Sequence, residues 1–167
     1  MKVYLGTDHA GFELKEKLKA FLKEKGFSVE DCGAYSFDKE DDYPDFIGKA
    51  AQKVSESLDD FGIVIGGSGQ GEAMVANKYK NVRCALFYGP VVPPGSIDAS
   101  GKESKDPYEM LVLTRAHNNS NMLSLGARFL TEEQAHEAVL RFLTSPFSNE
   151  ERHARRIEKI KKIEENS

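Results

Sequence analysis

The segment best suited to chemistry is residues 66–78, "GGSGQGEAMVANK", in which four of the first six residues are glycine. It follows an apolar run and precedes a helical pattern, which predicts a tight turn from a strand into a helix. Free backbone N–H groups and the helix dipole converge at such a turn and attract anions. Glu72, at the start of the helix, would also complement the dipole. Four glycines beside a carboxylate favour a bound small anion over a purely structural turn.

Three familiar glycine motifs do not fit this spacing. A Walker A loop ends in Gly-Lys-Ser/Thr, whereas Gly71 is followed by Glu72. The dinucleotide fingerprint counted from Gly67 would need a glycine in place of Glu72. A serine-hydrolase elbow would need a glycine in place of Gln70. Nucleotide binding and serine hydrolysis are therefore disfavoured.

The elements that position this turn are short apolar runs that alternate with amphipathic patterns. Strands are predicted at residues 2–6, 27–33, 61–67, 82–88 and 122–126. Helices are predicted at residues 11–25, from about Pro44, from the glycine turn to about Lys78, at 131–145 and at 149–165. This alternation predicts a parallel sheet that is covered on both faces.

Residues 89–107 interrupt the alternation, because four of the six prolines of the chain fall there. The segment is predicted to be a long loop that leaves the end of the fourth strand, and such loops usually have a function. Open α/β sheets bind ligands at that edge. We therefore predict a single domain over residues 1–167, with a loop insertion at about 89–107.

The composition is that of an ordinary globular domain, with 167 residues, 30 % charged residues and a formal net charge of −4. This charge gives no general attraction to nucleic acid or to anionic membranes. No apolar run approaches the roughly 20 residues of a membrane span, and no signal peptide is expected. Cys32 and Cys84 lack metal-ligand or redox spacing, so we expect buried, reduced thiols in a cytoplasmic protein.

Five segments resemble, in order, the RpiB/LacA/LacB family of sugar-phosphate isomerases, most of all its type B ribose-5-phosphate isomerases. They are "TDHAGFELK" (7–15), "YPDF" (43–46), "GGSGQGEAMVANK" (66–78), "RAHNNSNMLSLGAR" (115–128) and "ERHARRIE" (151–158). The resemblance implies a Rossmann-like three-layer αβα sandwich with a five-stranded parallel sheet and an extended C-terminal helix. It also implies a homodimer or tetramer with its sites at the subunit interface, and neither metal nor organic cofactor.

The resemblance also indicates the catalytic base. One branch of the family carries a cysteine base at the position of Gly66, and a second branch takes its base from a glutamate at the position of Glu72. This sequence matches the second branch. The implied reaction interconverts ribose 5-phosphate and ribulose 5-phosphate through an enediolate, with Glu72 as base. The backbone from Gly67 to Gly71 would surround the enediolate oxygen, and Ser68 would hydrogen-bond a sugar hydroxyl.

The remaining roles implied by the family follow the matched motifs. Phosphate binding is expected of His9, Arg128, Arg152 and Arg156. Ring opening has three candidates, namely Asp8, His117 and His153. Further substrate contacts are expected from Tyr43, Gly67, Gly69, Gln70, Gly71 and Asn118. Structural alternatives exist, because Asp8 could cap a helix, Asn118 could cap a turn, and arginines often form a solvated helix face.

Two other interpretations stay open. The loop at 89–107 favours the same chemistry on a six-carbon sugar phosphate, such as allose or galactose 6-phosphate, because a loop beside the site could reshape it. The absence of cysteine at position 66 favours a non-catalytic sugar-phosphate-binding module, although Glu72 argues against this. The last helix carries Ile157, Ile160 and Ile163 at helical spacing, so we expect it to lie across a partner subunit.

Overall fold

The computed structural model describes residues 1–57 and 59–166, so Leu58 and Ser167 lie outside the described residues. The strands are β1 (Lys2–Thr7), β2 (Ser28–Asp31), β3 (Phe61–Gly66), β4 (Cys84–Phe87) and β5 (Met122–Gly126). The helices are α1 (Phe12–Glu24), α2 (Tyr43–Ser55), α3 (Gln70–Ala76), α4 (Glu109–Asn118), α5 (Glu132–Thr144) and α6 (Glu151–Glu165). None of these helices is long and apolar enough to cross a membrane.

The five strands form one parallel sheet in the order β2-β1-β3-β5-β4. Successive strands run the same way because each connection carries a helix back across the sheet. The β3 sequence "FGIVIG" is almost entirely buried, as an apolar run without alternation predicts. The predicted parallel α/β sheet is confirmed.

Helices cover both faces of the sheet and bury two separate cores. On one face, Leu18 of α1, Leu111 of α4 and Phe142 of α5 pack in one cluster. On the other face, Ile47 of α2 and Ala76 of α3 pack in the second cluster. The three-layer αβα sandwich is therefore confirmed, and α6 forms the expected extended C-terminal helix.

Helix α4 was not among the predicted helices. Its N-cap residue is Tyr108, which makes no side-chain capping bond, whereas α5 begins with a full capping box between Thr131 and Gln134. The α4 sequence "EMLVLTRAHN" also lacks a long polar face, so neither start signal nor periodicity stands out. Its position matters, because α4 carries two of the predicted site residues, His117 and Asn118.

The connection from β4 to α4 has neither helix nor strand across residues 88–108. Its two ends lie together, since the Val91 N–H donates to the Pro107 carbonyl at 2.8 Å. An Asp98 carboxylate oxygen accepts the Ser100 N–H at 2.8 Å, and Asp106 pairs with Arg141 of α5 at 2.9 Å. The loop is thus folded on itself and tied to the α5 side of the domain.

The two cysteines are both free, but only one is fully buried. Cys32 is buried as expected, whereas Cys84, on the edge strand β4, is only partly buried. The Cys84 residue is partly exposed because an edge strand has a neighbour on one side only, although its thiol itself is buried as expected. The cytoplasmic location expected from reduced cysteines stays a prediction.

Candidate active site

The carboxyl ends of β1, β3 and β5 lie side by side at one edge of the sheet. Thr7 pairs with Ile65, and Gly66 pairs with Gly126, so the residues that follow these strands meet there. The strand order reverses between β1 and β3. Open parallel sheets bind ligands in the crevice at such a reversal, which makes this edge the expected position of a ligand site.

The glycine turn after β3 is held against β5. Gly69 has a φ of 74°, and a Cβ at that residue would lie 2.9 Å from the Leu125 backbone, so both conformation and space require glycine. The Ser124 hydroxyl donates to the Gly69 carbonyl at 2.6 Å. The Ser68 hydroxyl accepts the Gln70 N–H at 3.4 Å. The turn is therefore held in place by contacts within the chain.

Glu72 lies in the first turn of α3, and the residue is only 5 % exposed. Its carboxylate packs directly on Gly66, where a Cβ would overlap with both carboxylate oxygens. Burial raises the pKa of Glu72 above its ordinary value, the Asp8 charge raises it further, and the backbone N–H of Glu72 opposes this. A carboxyl with a raised pKa at a sheet edge is suited to proton transfer.

The cysteines do not offer an alternative base. Burial raises the pKa of the Cys32 thiol to about 11 and that of the Cys84 thiol to about 12. Neither side chain is therefore a thiolate near neutral pH. The position next to the carboxylate of Glu72, where a family branch has its cysteine, is Gly66 in this chain.

Asp8 and His9 follow β1 and lie beside an acidic residue from another segment. One Asp8 oxygen accepts the Ala10 N–H at 3.0 Å, so Asp8 does cap the short helical turn His9–Gly11. His9 Nδ1 lies 2.7 Å from an Asp41 carboxylate oxygen and 4.0 Å from Asp8. This hydrogen bond to Asp41 raises the pKa of His9, and the Asp8 charge adds to the effect, against some desolvation and the Arg128 charge.

Two further predicted residues reach this edge. The Arg128 guanidinium lies against Gly67, with its Cζ atom 3.1 Å from where a Cβ would be. The Tyr43 ring, in the first turn of α2, lies against Gly71 in the same way, at 2.7 Å. We refer to Asp8, His9, Tyr43, Glu72 and Arg128, with the turn at 66–71, as the carboxyl-edge group.

Asp8, His9 and Asp41 are the residues of the described chain that could hold a metal ion. Their ligand atoms all lie within 4.8 Å of one another. Two carboxylates and an imidazole form an acceptable set for a divalent transition metal. The short contact between His9 and Asp41 already engages two of these ligands, so an ion would have to replace that hydrogen bond.

A second set of predicted residues lies on α4 and α6, and we refer to His117, Asn118, His153, Arg152 and Arg156 as the helical group. The rings of His117 and His153 lie 4.2 Å apart. His153 is buried, and its Nδ1 lies 3.0 Å from the Ser148 hydroxyl. Burial lowers the pKa of His153, and the positive charges of neighbouring groups lower it further.

The rest of the helical group is more exposed than His153. Arg152 is partly buried and pairs with Glu150 at 2.8 Å, whereas Arg156 and Asn118 are exposed. Arg152 and Arg156 do lie one helical turn apart, as their spacing predicts. No described contact ties Arg156 to another side chain, so its role stays a prediction.

The two groups lie at opposite ends of the strands. Arg83, just before β4, donates to the Asn118 carbonyl at 2.9 Å, which places the end of α4 beside the amino ends of β4 and β5. The carboxyl-edge group follows the other ends of β1, β3 and β5. Since β5 has five residues, the two edges are separated by about 16 Å of strand. One chain therefore does not bring all predicted site residues together.

Asp41 was missed from the sequence. The signal available was its position two residues before Tyr43, in "DDYPDF", where two adjacent aspartates precede a matched motif. Which of the two would reach His9 depends on the path of residues 32–42, and no local pattern specifies that path.

The fold and this geometry agree with the comparisons to known proteins. The family described as Ribose/Galactose Isomerase matches residues 3–92 and 106–160. The chain belongs to this family, whose members here are sugar-phosphate isomerases. The match leaves out residues 93–105, within the loop between β4 and α4.

Individual relatives are similar along almost their whole length. Ribose-5-phosphate isomerase B of Mycolicibacterium paratuberculosis is 41 % identical over 164 residues, which span 98 % of this chain and 92 % of the relative. A crystal structure of ribose-5-phosphate isomerase B from Mycoplasma genitalium, with bound ribulose-5-phosphate, superposes with a TM-score of 0.85. It is 36 % identical and covers 99 % of this chain and 97 % of its own. The type B enzyme of Trypanosoma cruzi has a TM-score of 0.83 at 36 % identity.

Proposed function

We propose that this protein interconverts ribose 5-phosphate and ribulose 5-phosphate, with Glu72 as the base. The observation that carries the proposal is the Glu72 carboxylate, which is buried against Gly66 and has a raised pKa. Relatives of this similarity are named ribose-5-phosphate isomerase B. One similar structure holds ribulose-5-phosphate, which supports the five-carbon sugar over the six-carbon alternative.

Glu72 moves one proton in each direction. Its carboxylate removes the proton from C2 of the open-chain aldose, a double bond forms between C1 and C2, and the carbonyl electrons move to O1. The resulting enediolate takes the proton back from Glu72 at C1 while the O2 proton passes to O1, which gives the ketose with a C2 carbonyl and a C1 hydroxyl. A raised pKa suits this role, because the carboxyl must accept a proton and then return it. Backbone N–H groups of the glycine turn stabilise the enediolate charge.

The remaining roles divide between the two groups. His9 and Arg128 bind phosphate at the carboxyl edge, and Arg152 with Arg156 complete the clamp from α6. His117 opens the sugar ring, because it is more exposed than His153, while His153 packs behind it and is held by Ser148. Asp8 is committed in part to its capping bond. Tyr43 and Asn118 contact the sugar.

A homodimer would unite the two groups at each site. Within one chain the two groups lie at opposite ends of the strands, so a second copy must supply the helical group. Exposed apolar side chains next to the carboxyl edge support such an interface. Met74 and Tyr88 line an open groove of about 650 Å³ beside α3, and Tyr88 contacts the exposed Phe129. Exposed apolar side chains grouped in this way favour coverage by another chain.

The decisive experiment is the coupled conversion of ribose 5-phosphate by wild type and by Glu72→Gln. We expect turnover by wild type and a loss of at least about 100-fold in kcat for Glu72→Gln, the usual range for a missing base. Glu13→Gln is the matched control, because Glu13 also lies in a first helical turn but is exposed. It should keep wild-type turnover.

Each contrary result has a distinct meaning. Equal turnover by wild type and Glu72→Gln would reduce Glu72 to a helix-dipole residue and refute the mechanism. Wild-type protein that binds ribose 5-phosphate without converting it would be a binding module. Inactivity on ribose 5-phosphate together with turnover of allose 6-phosphate would assign the six-carbon sugar and implicate the loop between β4 and α4.

A further inference from the structure

His9 and Asp41 form a hydrogen-bonded pair at the carboxyl edge. One Asp41 oxygen, Oδ1, accepts the His9 backbone N–H at 3.0 Å and lies 2.7 Å from His9 Nδ1. Because an ionised carboxylate can only accept, Nδ1 must carry the hydrogen. The contact therefore fixes the orientation of the ring and leaves Nε2 as the nitrogen available to a ligand.

The electrostatics around the pair favour a protonated ring. The second Asp41 oxygen, Oδ2, is buried and has no hydrogen-bond partner among the described residues. A buried, partly unpaired carboxylate is costly unless a positive charge lies beside it, and His9 is that neighbour. Asp8, at 4.0 Å, acts in the same direction, while the Arg128 charge acts against it. Phe37 packs edge-on against the His9 ring and contributes no charge.

The segment that presents Asp41 is anchored at its base. Lys15 is fully buried and donates to both oxygens of Asp31 at 2.7 and 2.8 Å and to the Ala34 carbonyl at 2.5 Å. Near the other end of the segment, the Asp41 N–H donates to the Asp38 carbonyl at 3.1 Å. The path between β2 and α2 is thus held on both sides by contacts within the chain, and it places Asp41 beside His9.

We propose that Asp41 is a positioning residue, which holds His9 so that its Nε2–H binds the phosphate of the substrate beside Arg128. This inference rests on the proposed function, which gives His9 and Arg128 to the phosphate. His9 and Arg128 are two positive groups that repel each other, and a phosphate dianion between them removes that cost. Asp41 acts only through His9, and it makes no contact with the reacting carbons.

The substitution that tests this role is Asp41→Asn, with Asp42→Asn as the matched control. Asn keeps the size and an acceptor oxygen but removes the charge. Asp42 is the adjacent aspartate, which is exposed and makes no capping bond. For Asp41→Asn we expect KM for ribose 5-phosphate to rise about tenfold, as for a lost charge-assisted hydrogen bond. We expect kcat to stay within about twofold, and Asp42→Asn to match wild type in both.

The pH dependence provides a readout that a structural role would not change. The pKa of His9 is raised in the folded protein, so phosphate binding should weaken as pH rises through that pKa. In Asp41→Asn the pKa of His9 falls, and the rise in KM should begin at lower pH. NMR titration of the His9 ring in the free protein measures the same change without substrate. Asp41→Glu, which keeps the charge, should retain more of the His9 shift than Asp41→Asn.

A double-mutant cycle tests whether Asp41 acts through His9 alone. In a His9→Asn background, Asp41→Asn should add no further rise in KM. A further tenfold rise there would overturn the proposal. So would an Asp41→Asn protein whose His9 titration and KM both equal those of Asp42→Asn.

Two other outcomes distinguish the positioning role of Asp41 from a metal-binding role and from a failure of the proposed function. If a chelator abolishes wild-type activity and manganese or zinc restores it, Asp41 belongs to a metal site with Asp8 and His9, and the positioning role is wrong. If wild type fails to isomerise ribose 5-phosphate, the proposed function fails. The His9 titration and calorimetric binding of inorganic phosphate by wild type, Asp41→Asn and Asp42→Asn still decide the role of Asp41.

Discussion

The two groups of candidate site residues are built in different ways. In the carboxyl-edge group, Glu72 and Asp8 are buried, and each contacts a strand end or a backbone turn of the same chain. In the helical group, His153 is buried, but Arg156 of α6 and Asn118 at the end of α4 are exposed. Buried polar groups with fixed partners are preorganised, whereas exposed arginines gain order only when something binds them. The first group is assembled within one chain, and we propose that the second acts at the site of a partner chain.

The difference also matters for the two main tasks of the proposed reaction. Proton transfer at carbon needs a base held at a fixed place in a dry environment, which the turn after β3 provides for Glu72. Phosphate binding tolerates flexible arginines, since a dianion attracts them over several ångströms and their planar groups form paired hydrogen bonds. Changes to Glu72 and the glycine turn should therefore lower kcat, and changes to the phosphate-binding residues His9, Arg128, Arg152 and Arg156 should mainly raise KM.

The largest effect should come from Gly66→Ala. The new Cβ would overlap with the Glu72 carboxylate, which would have to leave its place. Gly66 has no positive φ, so alanine fits the backbone and the fold should persist. We expect kcat to fall by at least about 100-fold, as for loss of the base itself. Steady-state kinetics with ribose 5-phosphate measures this effect.

Gly89→Ala is the control for this substitution. Gly89 also follows a strand at the carboxyl edge, but a Cβ there would contact nothing within 4 Å. It should leave kcat unchanged. If Gly66→Ala were as active as Gly89→Ala, the observed place of Glu72 would not matter for catalysis, and the contrast between the two groups would lose its basis.

The tight packing of the glycine turn against the start of α3 could be predicted from the sequence for a physical reason. Glycines such as Gly69 are required by local conformation, and that requirement is visible in the sequence as a run of glycines between a strand and a helix. The contact between Gly66 and Glu72 follows from the same run, because these residues are six positions apart and a tight turn into a helix can connect them in few ways. The family resemblance then suggested the chemistry that spacing alone left open.

The sequence predicted the helical group less well. The start of α4 has no capping side chain, so the helix that carries His117 was missed, and with it the edge of the sheet where His117 lies. The contact of His9 with Asp41 joins two segments 32 residues apart. Such contacts depend on the path of a loop, and no local pattern records that path.

A smaller effect should come from Arg156→Ala, with Arg155→Ala as its control. Both arginines are exposed on α6, but only Arg156 lies one turn from Arg152 on the predicted clamp face. We expect KM for ribose 5-phosphate to rise about tenfold for Arg156→Ala with little change in kcat. Arg155→Ala should match wild type. Equal KM values for the two variants would refute the proposed arginine clamp.

Mixed subunits show whether the helical group comes from a second chain. If the protein is a dimer, co-expression of Glu72→Gln and Arg156→Ala chains in equal amounts gives a mixture in which half of the dimers are heterodimers. Each heterodimer has one intact site if the sites are shared. At substrate concentrations well below KM, we expect about one quarter of wild-type activity, well above either variant alone. Activity no higher than the average of the two separate variants would show that each site belongs to one chain.

The smallest effect should be on stability, because the buried Glu72 carboxylate should lower the free energy of unfolding. The pKa of Glu72 is raised by burial, so the native state binds its proton more readily than the unfolded state does. Stability then falls as pH rises from the unfolded pKa through the raised one. Glu72→Gln removes this charge, and we expect its Tm at pH 7.5 to exceed that of wild type by about 2–4 °C, as for roughly 1 kcal/mol.

Calorimetric melting between pH 4 and pH 8 checks the sign as well as the size. The advantage of Glu72→Gln should shrink as pH falls, because wild-type Glu72 then becomes neutral like the glutamine that replaces it. Glu13→Gln, on an exposed first turn, should show no such pH-dependent gain. If Glu72→Gln were instead the less stable protein at pH 7.5, the carboxylate would be stabilising α3 through its dipole. Glu72 would then resemble an ordinary residue of a first helical turn. The destabilisation that is expected of a buried reactive carboxylate would be absent.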